Sequence, residues 1–351
     1  MQLGLFNLMT QRERGQSPRQ IYADMIEHVK LAEDMGFDTA WFAEHHFSNY
    51  CLCPSPLAMA IYTAPQTKRI RLGPAVIVAP LYHPLRMLEE ISLLDTLSGG
   101  RLVLGLGSGY QQYEFHKFGV DLKAGRDILL ETLDILEAFF AGGPLRYAGK
   151  HLGIPETHFS FRTLQARPDI YIAGLLSDPV TQERIARAGY VPFFTTGWSS
   201  LEEIAKLRDT VGQFHRAAGK NPATMKFAIQ QYIFVTDDRS EAVKAAEGAR
   251  YIRRIAAAMR DNYARLDGAF LEEVPAPSEP PLEEIMGRMI IGDAETCAEK
   301  LVREVETLRI SHLSCFMGLP GLPQRSILRS MERFGADVMP WIEKAARAIT
   351  A

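Results

Sequence analysis

Glu44-His45-His46 is the stretch where this sequence is best equipped for acid–base chemistry. It follows residues 38–43, a run of β-branched, aromatic and small residues about as long as a buried strand. Three ionisable groups at the end of a buried strand are costly unless they are paired or face a cavity. An imidazole, with an ordinary pKa of about 6.5, suits proton transfer near neutrality. Adjacent residues of an extended segment point opposite ways. One of His45 and His46 therefore acts on a ligand while the other, or Glu44, orients it; the competing reading is a pair of capping or core histidines. Metal-binding barrel strands carry alternate rather than adjacent histidines, with further ligands on later strands. The ends of 169–173 and 191–195 supply none, so no metal is assigned.

Other candidates lie at further strand ends. Gly105-Leu106-Gly107-Ser108-Gly109 looks like a dinucleotide loop, but its third glycine is misplaced and it follows the fourth strand rather than the first. It reads as a close backbone approach to a flat ligand or as a tight strand bend. Gly174 to Thr181 runs from a strand through a short loop into a helix start at Ser177 or Asp178, which reads either as an anion site to which Thr181 adds a hydroxyl or as a plain N-cap made by Ser177 or Asp178. Arg126 opens a helix, against the dipole, which suggests a partner for its charge. Phe6, Phe42, Tyr110, Phe115, Phe193, Phe194 and Trp198 cluster at or just past strand ends, as the walls of an apolar ligand pocket would.

The elements that position these residues alternate. Strands are expected at 3–9, 38–43, 71–78, 102–106, 169–173, 191–195, 226–235 and 312–317. Helices are expected at 17–35, 54–66, 83–97, 126–140, 178–188, 201–218, 240–263, 296–308 and 324–348. Residues 142–168 read as a long connection and 266–292, with four prolines, as an irregular excursion. Strand and helix alternating about every 30 residues argue for βαβ units and a parallel sheet. Eight strands with no phosphate loop after the first favour an α/β (β/α)8 TIM barrel with insertions over an open doubly wound sheet. The carboxyl ends of its strands then form the site.

The chain has 351 residues, 47% of them hydrophobic, enough to fill such a core. A net charge of −3 gives no reason to expect nucleic acid or a membrane surface as partner. No stretch approaches the ~18 apolar residues of a membrane span, and the N-terminus enters a strand without a basic leader. Cys51-Leu52-Cys53 is tighter than zinc spacing. With Cys297 and Cys315 these are read as reduced thiols of a cytoplasmic protein.

The sequence resembles the bacterial luciferase-like flavin-dependent monooxygenase family over nearly its whole length. Short segments carry the resemblance in order: Glu44 to Phe47, Arg71 to Val76, Pro80 to Arg86, Asp95 to Arg101, Gly105 to Tyr110, Glu114 to Asp121, and Val338 to Pro340. It implies a single luciferase-like barrel domain over 1–351, with 266–292 as a mobile insertion loop over the site. It implies reduced, exchangeable FMN from a separate NAD(P)H flavin reductase, with O2 as co-substrate. The implied reaction proceeds through a flavin hydroperoxide that hydroxylates a small organic substrate or inserts oxygen beside a carbonyl. His45 matches a catalytic histidine near the flavin, supported by His46 and Glu44. Ala75-Val76 matches a step that is often a cis non-proline peptide under the isoalloxazine. Arg126 matches a phosphate-binding arginine, and Ser177 to Thr181 the phosphate-binding helix start. Gly107, Ser108, Tyr110 and Gly174 join the cofactor set, and Phe6, Phe115, Phe194 and Trp198 the substrate pocket. A homodimer is implied. The sequence departs from luciferases at Ser108, where they have a phosphate arginine, at Asp178, where they have a serine, and at Gly107, where they have a reactive cysteine; light emission is not implied. The rival expectations are a deazaflavin-dependent oxidoreductase on the same barrel and a non-catalytic flavin-binding protein.

Overall fold

The run Ala228–Val235, apolar but for Gln230 and Gln231, is a strand buried at every position, as a parallel strand covered on both faces must be. The computed structural model describes residues 1–277 and 279–350. Eight strand positions follow in chain order: β1 (Gln2–Asn7), β2 (Thr39–Phe42), β3 (Arg71–Pro74, resumed at Ile77–Val78), β4 (Leu104–Gly107), β5 (Ile170–Ala173), β6 (Val191–Thr195), β7 (Ala228–Val235) and β8 (His312–Phe316). Each pairs in parallel with its chain neighbour. A bridge from Leu72 to Leu102 joins the lower part of β3 to the approach to β4. The circuit closes because β8 pairs back onto β1, with Gln2 opposite His312. This is the (β/α)8 barrel expected from the alternation.

Helix boundaries follow local chemistry. Helix Pro18–Met35 has proline in its first turn and ends at Gly36 with φ 90°, a backbone region open to glycine at little cost. Helix Leu201–Ala217 starts with a reciprocal capping box between Ser200 and Glu203.

Three expectations change. Strand 71–78 is interrupted: Ala75-Val76 is a cis peptide between its two parts, and a Cβ on Gly105 would lie 2.4 Å from the Pro74 carbonyl oxygen. The glycines of β4 thus give room to the neighbouring strand. The connection 142–168 contains an antiparallel hairpin, Leu145–Ala148 with Gly153–Thr157. The C-terminal helix divides into Gln324–Arg333 and Met339–Thr350 around a π turn, Phe334–Val338. Pro340, which has no N–H to donate, sits just after that turn.

The excursion 266–292 is more structured than its prolines suggest, although Ser278 lies outside the described residues. It contains a small hairpin, Leu266–Asp267 with Phe270–Leu271, helix Leu282–Arg288, and strand Ile290–Gly292, which extends the sheet beside β7. Asn49 ties the hairpin down: its Oδ1 accepts from the Leu271 N–H at 2.8 Å, and its own N–H donates to Ala269 O. All four cysteines are buried free thiols. Among the described residues, no helix is long and apolar enough to cross a membrane.

Candidate active site at the strand ends

The carboxyl ends of all eight strands open into one cavity of about 600 Å³, within the ~300–1,000 Å³ range of small-molecule and cofactor sites. A smaller cavity of about 100 Å³, beside His28 and Gln324, has no room for such a ligand. Phe6, Phe193, Phe194, Tyr232 and Phe316 give the large cavity an apolar wall. Helix Arg239–Arg260 adds Ile252, Arg253, Ala256 and Arg260.

Of the adjacent histidines, His45 lines the cavity and His46 does not. The His46 Nε2 pairs with Glu44 Oε1 at 3.0 Å, and its ring packs against Phe118 at 4.8 Å. Glu44 is fully engaged. Its Oε2 accepts from the Val78 N–H at 3.1 Å, and the Tyr82 hydroxyl bonds it as well. Burial raises its pKa, against the pull of the His46, Val78 and Tyr82 hydrogen bonds. Glu44 thereby ties the end of β2 to the end of β3 while keeping an edge on the cavity.

His45 has a different partner. Its Nδ1 lies 3.1 Å from Glu114 Oε1, and the same oxygen accepts from the His46 N–H at 2.8 Å. Gln111 Nε2 is 2.9 Å from His45 Nδ1 and 3.2 Å from the Tyr110 hydroxyl. One Nδ1 cannot both accept from an amide and donate to a carboxylate. Donation to the Glu114 carboxylate, which also accepts from the His46 N–H, places the proton on Nδ1, and Gln111 then turns its carbonyl end toward the ring. His45 Nε2 makes no hydrogen bond among the described residues. The result is an imidazole with one nitrogen held by a carboxylate and the other free. Its ring is set edge-on between Tyr50 at 4.7 Å and Tyr110 at 5.8 Å. Tyr50 and Tyr110 share a hydrogen bond, and burial lifts the pKa of both phenols; both stay protonated at neutral pH.

Most of the residues expected to meet a ligand do converge here. Phe6, Glu44, His45, Ala75, Val76, Gly107, Ser108, Tyr110, Gly174 and Phe194 line the cavity, whereas Phe115, Arg126, Ser177, Thr181 and Trp198 lie outside its lining. Phe115 is fully buried and supports the loop from beneath: a Cβ on Gly109, at φ 73°, would lie 2.4 Å from its ring. Trp198 packs under the Arg253 guanidinium at 5.4 Å. Ser177 is exposed. Thr181 donates from both its N–H and its hydroxyl to Asp178 Oδ2, at 2.8 and 2.7 Å. Asp178 is the N-cap of helix Pro179–Ala188. Arg126 pairs with Asp127 at 2.8 Å and Asp178 at 3.3 Å. Burial alone would raise the Asp178 pKa, but hydrogen bonds from Thr181 and Arg126 carry it below its usual value. No described residue of 266–292 lines the cavity.

Sequence reasoning missed Gln111, Arg253 and the role of Glu114. Glu114 lies within a segment that carries the family resemblance, but its task depends on a contact across 69 residues. Arg253 stands among Arg250, Arg254 and Arg260, where it reads as one more charge on a solvated helix face.

This parallel eight-stranded barrel is one that flavin-dependent oxidoreductases share. The family described as luciferase-like monooxygenase matches residues 1–312, and the chain belongs to that family. It is 36% identical to the uncharacterized protein y4vJ of Sinorhizobium fredii, over 98% of each chain. It is 25% identical to the oxygenase component of the flavin-dependent trigonelline monooxygenase of Acinetobacter baylyi, over 97% of this chain and 95% of that one. Among solved structures, the oxygenating constituent of 3,6-diketocamphane monooxygenase from Pseudomonas putida, in complex with FMN, superposes with a TM-score of 0.79 at 22% identity, over 97% of this chain and 98% of that one. The coenzyme F420-dependent tetrahydromethanopterin reductase of Methanopyrus kandleri shares the fold, with a TM-score of 0.68 at 19% identity, over 97% of this chain and 98% of that one.

Proposed function

We propose that this chain is the FMN-using oxygenase component of a two-component monooxygenase, supplied with reduced flavin by a separate NAD(P)H reductase and oxygenating a small organic substrate with O2. The observation that carries this reading is the His45–Glu114 dyad facing a largely apolar cavity of about 600 Å³. When bound, reduced FMN would supply the electrons that activate O2.

The residues present fit that group. One end of the Gln111 side-chain amide, on the cavity wall, is buried without a hydrogen-bond partner among the described residues, a polar group that calls for a ligand. Ala75, Val76, Gly107, Ser108, Tyr110 and Gly174 would hold the flavin ring and its side chain. The phosphate end is less prepared: Arg126 must give up at least one of its two carboxylate partners, and Thr181 is engaged by Asp178. A grip of this kind accords with a flavin that exchanges. His45 Nε2 holds or moves a proton at the reacting centre. Glu114 keeps its tautomer and orientation. The aromatic wall excludes water. For 266–292 to act as a cover it would have to move and break the Asn49 hydrogen bonds, because none of its described residues lines the cavity as it stands.

Two measurements test the reading. Fluorescence titration should show FMN binding in preference to riboflavin. When photoreduced FMN and protein are mixed with oxygenated buffer, oxidised-flavin absorbance should return later than in free solution. Return as fast as free FMN would overturn the oxygenase reading and redirect attention to hydride transfer with a deazaflavin.

A further inference from the structure

The four arginines on the last turns of helix Arg239–Arg260 differ in one respect. Arg250 pairs with Glu247 and Glu279, Arg254 with Glu273 and Glu279, and Arg260 with Asp261. Among the described residues, Arg253 has no ion pair and no hydrogen bond, and its Nε is buried. Of Arg250, Arg253 and Arg254, it is Arg253 that lines the cavity. The other charges on that lining are engaged: Glu44 by His46, Glu114 by His45, Arg260 by Asp261. A guanidinium in an enclosed site without a carboxylate is an unmet demand for an anion.

Its position is built rather than loose. A Cβ on Gly197, at φ 63°, would lie 2.6 Å from the Arg253 Cζ and 2.7 Å from its Nε. Gly197, in a backbone region that favours glycine, lets the guanidinium lie directly against the loop. The Trp198 ring flanks it at 5.4 Å, a cation–π contact that holds the group without neutralising it. The guanidinium is also close enough to Tyr50, Tyr110 and Tyr232 to act on their phenols. A planar, permanently charged fork held in this way matches a carboxylate through two parallel N–H donors.

We infer that Arg253 is the anchor of the substrate subsite, and that the substrate class is a small apolar or aromatic acid whose carboxylate pairs with Arg253 while its body lies along the wall of Phe6, Phe194 and Phe316. The inference rests on the oxygenase reading for its catalytic meaning but not for its binding test.

The anion at Arg253 has two possible sources, a substrate carboxylate or the phosphate of the flavin, and the test separates them. Calorimetric titration of the wild-type protein with benzoate and hexanoate should give affinities at least tenfold higher than with benzamide and hexanamide. Arg253→Met should abolish that preference and Arg253→Lys should keep part of it. The Arg253→Met variant should still prefer FMN to riboflavin as the wild type does. Equal affinity for acid and amide in the wild type, or an acid preference that survives Arg253→Met, overturns the proposal. Loss of the FMN preference in Arg253→Met also overturns it and assigns the cation to the cofactor. If FMN does not bind the wild type, the flavin reading fails, and the acid–amide contrast still decides the role of Arg253. Should Arg253→Met fail to fold, Arg253→Gln, which keeps a polar amide at the site, carries the same comparison.

Discussion

The two ends of the barrel each hold a histidine beside tyrosines and aromatic rings, and they use it in opposite ways. At the amino end, His312 Nε2 accepts from Trp41 Nε1 at 3.0 Å. Tyr171 bonds Gln2 Oε1 at 2.9 Å and lies 3.5 Å from His312 Nδ1. Gly4 leaves room for the pair, since a Cβ there would lie 2.5 Å from Trp41 Nε1. Both histidine nitrogens are engaged, no space remains, and burial drives the His312 pKa down to about 3. At the carboxyl end, His45 has one nitrogen held and one free beside a cavity, and on the same wall one end of the Gln111 amide and the Arg253 guanidinium have no partner among the described residues. A satisfied polar cluster locks a core; an unsatisfied one is a site waiting for a ligand. Barrels divide their labour this way, with stability at one face and chemistry at the other.

Substituting each histidine should separate the two roles. His45→Ala should lower oxygenation turnover ~10²–10⁴-fold, the usual worth of a positioned acid–base group. FMN affinity and melting temperature should stay near wild type, as read by steady-state kinetics, fluorescence titration and calorimetry. Turnover within about threefold of wild type would remove His45 from the chemistry. His312→Ala should do the reverse. It leaves Trp41 Nε1 buried without an acceptor and opens a void, so urea unfolding should show a loss of about 3 kcal/mol. FMN affinity of the folded protein should be retained.

The pH dependence sharpens the contrast. The folded pKa of His312 lies below its ordinary value of 6.5, so the unfolded chain binds the proton more tightly. Its contribution to stability is fully present above pH 6.5 and is lost as pH falls toward 3, by about 2 kcal/mol at pH 5. His312→Ala should remove that slope. Glu304, on the outside of the wall, runs the other way. Burial raises its pKa from 4.5 to about 7, against the Gln231 hydrogen bond at 2.6 Å. Its contribution is present below pH 4.5 and lost as pH rises through 7. Glu304→Gln should therefore gain about 1–3 kcal/mol at pH 8 and almost nothing at pH 4.5, measured by unfolding at both values.

The stable end and the chemical end were not equally legible in the sequence. The strands could be read because each is a short apolar run bounded by turn residues, and β7 is apolar enough to stand out alone. Glu44, His45 and His46 were visible because ionisable groups at a strand end contradict their surroundings. Residue types left open which histidine faces the cavity, and only the resemblance singled out His45, because the choice depends on Glu114 arriving from a separate short helix, Gln112–Phe118. Arg253 was hidden for a related reason. Its meaning comes from the carboxylates that its neighbours on the helix have and it lacks, and pairing is a property of packing rather than of spacing. Among the β4 glycines, Gly105 makes room for β3 while Gly107 stands on the cavity wall.

The smallest expected effect concerns the rim between the two regimes, where Arg126 is paired as structural arginines are yet stands where the resemblance puts a phosphate contact. Asp178 both caps helix Pro179–Ala188 and occupies Arg126. Asp178→Asn keeps a side-chain oxygen for the cap and removes the charge that competes with a phosphate. FMN affinity should then rise about two- to fivefold, in line with the small worth of an exposed pair, while riboflavin affinity stays unchanged. Arg126→Ala should shift FMN the other way by a similar factor and again leave riboflavin alone. If Asp178→Asn weakens both flavins equally, the carboxylate matters only as a cap. The phosphate is then held elsewhere on the rim, and Arg126 belongs with the structural pairs rather than with the site.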